Sequence, residues 1–507
     1  MAFDKIGFDN EKYLNEQSKR IIERASQFGN KLYLEFGGKL IYDYHASRVL
    51  PGFDPNVKMK LLKLLEEKIE VIICIYSGDI ERKKIRADFG ITYDTGALKL
   101  IDDLREGGLK VCAVVVTRYN GQQVVKQFMN KLERRNIKVY THHPIKGYPT
   151  NIDLIVSEEG YGANRYIETS KPIIIVSGPG PGSGKMATCL SQIYHEHIRG
   201  VEAGYAKFET FPIWNLPVKH PINMAYESAT ADLGDFNQID PFHLETYNTT
   251  ATNYNRDVEI FPVVKKIMLR IMGTNLVYKS PTDMGVNMAG FAIKNDDIVQ
   301  QAAKQEMIRR YFRYSCEYAM GVSSKKTVQR AELLMKELNL NALDRKVVKH
   351  ARQASITAQE KGKGHEGIFA GAALELKNRT IITGKNSKLM HSASSLILNA
   401  IKELAGIPDN IHLLSPNILS SISKLKSEVF NQKPLSLNLE ETLIALSISA
   451  DFNPSAKVAM EKLKDLKGCE MHSTHIPTPG DESGLRRLGL NLTSDPNFSS
   501  ERLFVPY

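Results

Sequence analysis

Ile173-Ile174-Ile175-Val176-Ser177-Gly178-Pro179-Gly180-Pro181-Gly182-Ser183-Gly184-Lys185 is the stretch whose reading decides the fold. Its four leading apolar residues form a short continuous run that reads as a buried strand. After Lys185, Met186, Leu190, Ile193 and His197 recur at helical spacing. Strand, glycine loop and helix in that order are the repeating unit of parallel α/β sheets. Without Cβ atoms the loop backbone can wrap closely around an anion, with its N–H groups turned inward and the start of the helix adding a favourable dipole. Gly178, Gly180, Gly182, Ser183, Gly184 and Lys185 are therefore the candidate phosphate-binding residues, with Lys185 supplying a mobile positive charge.

Toward the N-terminus the same alternation repeats. Helix-like Val57 to Ile69 leads into the apolar run Val71 to Ile75, Asp94 to Glu106 into Val111 to Val116, and Gly121 to Arg135 into Ile137 to Tyr140. Ile152 to Val156 reads as a further strand. Lys31 to Tyr44 reads as a hairpin about Gly37-Gly38, with Leu32, Leu34 and Phe36 alternating before the turn. The prediction for 1–200 is a doubly wound, mostly parallel sheet. Ligands in such sheets bind beyond the carboxyl ends of the strands. Asp79, Arg118, His142, His143 and Glu158 are the polar residues expected on that rim with the glycine loop.

Beyond Val201 the periodicity fades, and 201–290 reads as an irregular polar segment that completes the site. Its density of hydrogen-bonding and proton-transferring groups implies either a polar network or a site. Arg256 is the candidate anion clamp, and Asp257 or Glu227 the candidate proton carrier. Residues 291–360 read as a helical region and 361–507 as a smaller α/β domain. The fold class expected is thus α/β, with a parallel-sheet domain, a helical middle and an α/β C-terminal domain.

Pro181-Gly182-Ser183-Gly184-Lys185 resembles the phosphate-binding loop of P-loop nucleotide hydrolases and kinases. Two positions depart from the G-x-x-x-x-G-K-[ST] pattern: Pro179 stands where the first glycine belongs, and Met186 where a magnesium-binding Ser or Thr belongs. The order near the C-terminus resembles the cytidine deaminase fold: a strand pair over Gly371 to Leu376 and Thr380 to Thr383, a helix starting at His391, then one starting at Pro416. That family holds zinc with H-x-E and P-C-x-x-C, whereas here the segments read His391-Ser392-Ala393 and Pro416-Asn417-Ile418-Leu419-Ser420, so no metal is expected. Cys469, His472 and His475 offer three possible ligands without a fourth and read as an exposed loop. The whole chain, through Pro172 to Lys185, Asn215 to Asp232, Asn253 to Val263 and His475 to Leu490, resembles a family of uncharacterised bacterial proteins, which implies no particular reaction.

The 507 residues are too many for one core. With 42% hydrophobic and 24% charged residues the chain is neither disordered nor fibrous. The net charge of +10 is spread along helical segments among acidic residues, and no nucleic-acid recognition module is present. Five scattered cysteines, a polar N-terminus and the lack of a ~20-residue apolar run point to a cytoplasmic protein that does not enter membranes. The expected partner is a small phosphorylated ligand, with a nucleotide as one form of it. The sequence leaves homo-oligomer formation open. It also leaves three functions standing: a phosphate-handling enzyme, a non-catalytic sensor or scaffold, and, third, a nucleic-acid-associated protein.

Overall fold

Apolar runs long enough to be covered on both faces become the strands of a central sheet. The computed structural model describes residues 6–86, 90–273, 277–429 and 436–500, and the chain divides into two compact units, Met1–Glu306 and Met307–Tyr507. In the first unit, β1 (Leu32–Phe36), β2 (Ile69–Tyr76), β3 (Val111–Thr117), β4 (Val139–His142), β5 (Ile173–Ser177) and β6 (Gly204–Phe208) form one sheet in the order β4-β3-β2-β5-β1-β6. Every neighbouring pair is parallel. β5 is buried along its whole length between β2 and β1.

Three expectations change. Lys31 to Tyr44 is not a hairpin: Leu32–Phe36 pairs in parallel with β5 on one side and β6 on the other, and every residue of it is buried. The two polar side chains it buries are satisfied, Tyr33 donating to Glu196 at 2.6 Å and Glu35 accepting from Tyr205 at 2.7 Å. Ile152–Ile155 is a short helix capped by Asn151, with Asp153 in its first turn, since so short a largely apolar segment suits either state. Finally, 201–290 is largely regular. It supplies β6, then helices Pro221–Ala229, Pro241–Tyr247 and Asn255–Met272, and an antiparallel pair, Asn237–Ile239 with Thr252–Tyr254. His220 and Asp240 cap the first two of these helices, each followed by a proline in the first turn.

The expected helical middle is present as Asp296–Ala319, Lys325–Glu337 and Lys346–Glu360. In the second unit, β7 (Gly371–Glu375), β8 (Ile381–Lys385), β9 (Glu470–Ser473) and β10 (Asn491–Ser494) run in the order β8-β7-β9-β10. The first two pairings are antiparallel and the last is parallel. Ser392–Ala405 follows β8 as expected. Pro416–Lys424, however, is succeeded by Leu439–Ala450 and Pro454–Glu461 before β9, so the helix joining the parallel pair is Pro479–Arg487. Its Asp481 meets His391 at 2.6 Å. Cys469 and His472 are buried at and within β9 rather than exposed in a loop. His472 is held by Thr493 at 2.9 Å.

Candidate functional site

β2 connects outward to β3, while β5 connects in the opposite direction to β6. Right-handed crossovers place those two connections on opposite faces, so the carboxyl ends of β2 and β5 border a topological switch point. The glycine loop lies at that point. Gly178 passes close under the Cys74 carbonyl at the end of β2, and Gly180 packs on the Tyr93 ring. Gly184 has φ +88 and lies so near Thr117 that a Cβ would stand 2.7 Å from the threonine methyl. That conformation and that space both require glycine.

The end of β3 clamps the loop from outside. Thr117 donates to the Ser183 carbonyl at 2.8 Å, and the Arg118 guanidinium, stacked 3.5 Å from the Tyr76 ring centroid, donates to the Gly182 carbonyl. Two of the loop carbonyls, those of Gly182 and Ser183, are thus engaged. Helix Lys185–Ile198 starts from Gly184, which supplies no side-chain cap for the leading amides. The Ser183 hydroxyl, 2% exposed, and that of Ser177, 1% exposed, have no hydrogen-bond partner among the described residues. Lys185 reaches the Gly180 carbonyl at only 3.5 Å.

A second group of charges stands two strands away. Lys207 on β6 contacts both oxygens of Asp257 at 2.7 Å and Glu209 at 3.5 Å, and also donates to the Tyr254 hydroxyl. Burial works against the Lys207 charge, but Asp257, Glu209 and Glu35 outweigh it and hold its pKa above the usual lysine range. Burial raises the Glu209 carboxyl above its ordinary value; Lys207 opposes this, and Asp257 and Glu35 add to it. Burial likewise pushes up the Tyr226 and Tyr254 phenols that border the group.

The residues picked from sequence divide among these places. Gly178, Gly180, Gly182, Ser183, Gly184 and Lys185 form the loop itself. Asp257 belongs to the Lys207 cluster. Arg256 is paired with the buried Asp235 through contacts of 2.6 and 2.7 Å, and Glu227 is buried, accepting from the Asn237 amide at 3.0 Å. Among the rim residues, Asp79 follows β2 and pairs with Arg82, Arg118 follows β3, and His142 ends β4. Burial lowers the His142 pKa to about 4. His143 contacts the Tyr119 carbonyl at 2.9 Å, and Glu158 follows the short helix, so it does not lie at a strand end. Glu35, Lys207 and Glu209 escaped the sequence reading, although Tyr205, Lys207 and Glu209 show the alternation of an edge strand. A separate cavity of about 320 Å³, walled by Trp214, His243 and Phe291 against the exposed face of helix Asn10–Ser26, contains none of the residues picked.

Two family models account for nearly the whole chain. Domain of unknown function DUF1846, N-terminal, matches residues 6–339, and its C-terminal counterpart matches residues 343–504. The chain belongs to the DUF1846 family. It is similar to a "UPF0371 protein" of Clostridium botulinum strain Alaska E43 / Type E3, 59% identical over 500 residues and covering 99% of both chains. Relatives from strains Eklund 17B / Type B and Kyoto / Type A2 are 59% and 58% identical over the same length and coverage. DUF1846 thus names a family without an assigned activity, as the near full-length resemblance implied. No helix among its described residues here is long and apolar enough to cross a membrane.

Proposed function

We propose that this DUF1846 protein binds a nucleotide or other phosphorylated metabolite with a phosphate seated in the 177–185 glycine loop. The observation that carries the reading is unmet donor capacity at the loop. Two buried serine hydroxyls lack partners, a helix begins without a side-chain cap, and a lysine stands beside both at a switch point of the sheet. Buried polar groups in native proteins are nearly always satisfied, so donors left over at such a point suit an anionic guest. Met186 occupies the place of the magnesium-binding hydroxyl, which favours a phosphate bound by amides and Lys185 over a magnesium triphosphate.

The test is calorimetric titration with inorganic sulfate, inorganic phosphate, AMP and glucose 6-phosphate. Lys185→Ala should weaken each by about tenfold to a hundredfold, the worth of one charge-assisted hydrogen bond, while the free protein melts as before. Equal affinity in the wild type and the variant would remove the proposal.

A further inference from the structure

The ladder of the sheet places one carboxylate where a loop-bound ligand would meet it. Val176 of β5 is level with Glu35 of β1, and Phe36 of β1 with Phe208 of β6; the Gly37 amide prolongs this pairing by donating to the Phe208 carbonyl at 2.8 Å. Extending the two registers past their last paired residues sets Gly178, Gly37 and Glu209 level across three strands. At about 5 Å per strand, the Glu209 backbone is about 10 Å from that of Gly178. Its side chain shortens the gap, because it lies over Gly37: a Cβ there would fall 2.1 Å from the Glu209 Cγ and 2.2 Å from its Oε1. The carboxylate of an edge strand is thus turned inward across β1, toward the glycine loop, through space that only glycine leaves open.

We propose that Glu209 is the ligand-facing proton carrier of this site, so that an anion in the glycine loop and a proton on Glu209 stabilise each other. The proposal rests on the phosphate reading above and extends it. Asp257, the carrier suggested by sequence, has both oxygens on Lys207, whereas Glu209 has a single 3.5 Å contact with that ammonium. The groups facing Glu209 are Glu35 from β1, Lys207 from β6, Asp257 from helix Asn255–Met272, Lys185 from the loop helix, and the Tyr226 and Tyr254 phenols. Three carboxylates against two lysines leave room for one shared proton, and a bound dianion adds to the demand for it. The same balance selects the ligand. A polyphosphate extended toward Glu209 would meet three carboxylates, whereas a phosphomonoester with a hydroxyl or ether oxygen at that end can exchange a hydrogen bond or a proton with Glu209.

Sulfate is the probe, because its own charge is constant between about pH 5 and about pH 9, where carboxyl groups with raised pKa titrate. In the wild type, sulfate affinity should fall as pH rises, by about tenfold for each unit by which the bound anion lifts the Glu209 pKa. Glu209→Gln should bind sulfate without that slope, and Gly37→Ala, which keeps the carboxylate but fills its seat, should flatten it as well. Asp257→Asn should keep the slope. A Glu209→Gln protein that retains the wild-type slope overturns the proposal while leaving the loop reading intact. Sulfate affinity indifferent to Lys185→Ala overturns both.

Discussion

The glycine loop of the first unit and the β7–β10 sheet of the second both bury polar groups, but they complete them differently. In the second unit Arg345, 1% exposed, donates to Thr493 at 2.9 Å, to the carbonyls of Met471 at 3.1 Å and Asn491 at 2.7 Å, and to the Glu470 carboxylate. The helices beginning at Leu439 and Pro454 are capped by Asn438 and Asn453. Around Gly178 to Lys185 the Gly182 and Ser183 carbonyls are engaged, while the Ser177 and Ser183 hydroxyls lack partners among the described residues and the helix start has no side-chain cap. Arg345 is occupied in holding its sheet together, whereas the loop serine hydroxyls hold nothing there.

The largest test of that contrast is Arg345→Ala. It strands the Glu470 charge and should cost about 3–5 kcal/mol in denaturant unfolding of the second unit, with sulfate binding at the loop unchanged. A small loss would mean that the network is less saturated in solution than its geometry implies.

Acid should act next, through His142 in the first unit. Burial holds the His142 pKa at about 4, below its ordinary 6.5. The unfolded chain therefore takes up the proton first, and the stability that His142 contributes is full above about pH 6.5 and lost as pH falls to about 4. Asp495 is raised by burial but lowered more by His472 and Arg352, to about 2 from 3.8. Its contribution persists above about pH 3.8 and disappears only toward pH 2. Urea unfolding across this range, followed by amide exchange in the first unit, should show that unit weakening between about pH 6.5 and about pH 4. His142→Gln should remove that early loss.

The smallest effects sharpen the comparison most. Asn453→Ala removes a cap that accepts from the Ser455 and Ala456 amides and should cost about 1 kcal/mol. Ser183→Ala removes a buried hydroxyl that satisfies nothing, so its melting temperature should hold or rise slightly. Its sulfate affinity should nonetheless fall by about threefold to tenfold. A stability loss equal to that of Asn453→Ala would show that Ser183 is structural.

β2, β3 and β5 were legible because each is an apolar run bounded by helical periodicity, and the glycine loop because its residues are contiguous; β4, expected over Ile137 to Tyr140, lies over Val139–His142, where Thr141 and His142 break the apolar pattern. Where one residue serves two purposes, legibility ended. Gly37-Gly38 has the composition of a turn, yet Gly37 extends a parallel pairing and makes room for a side chain from another strand. β6 alternates in the manner of an edge strand, but Lys207 and Glu209 read as surface charges until the register sets them beside Glu35. Arg256 and Glu227 read as an anion clamp and a proton carrier, but the partners that engage them, Asp235 and the Asn237 amide, are matters of packing that no spacing announces.

The position of β1 also bears on how the chain is made. Leu32–Phe36 emerges from synthesis before any other strand of its sheet, yet both of its neighbours, Ile173–Ser177 and Gly204–Phe208, come more than a hundred residues later. Until Ser177 has been translated, this apolar segment has no permanent companion on either side, and until Phe208 it has one at most. The growing polypeptide must keep it from wrong associations, and long-range pairings of this kind form slowly.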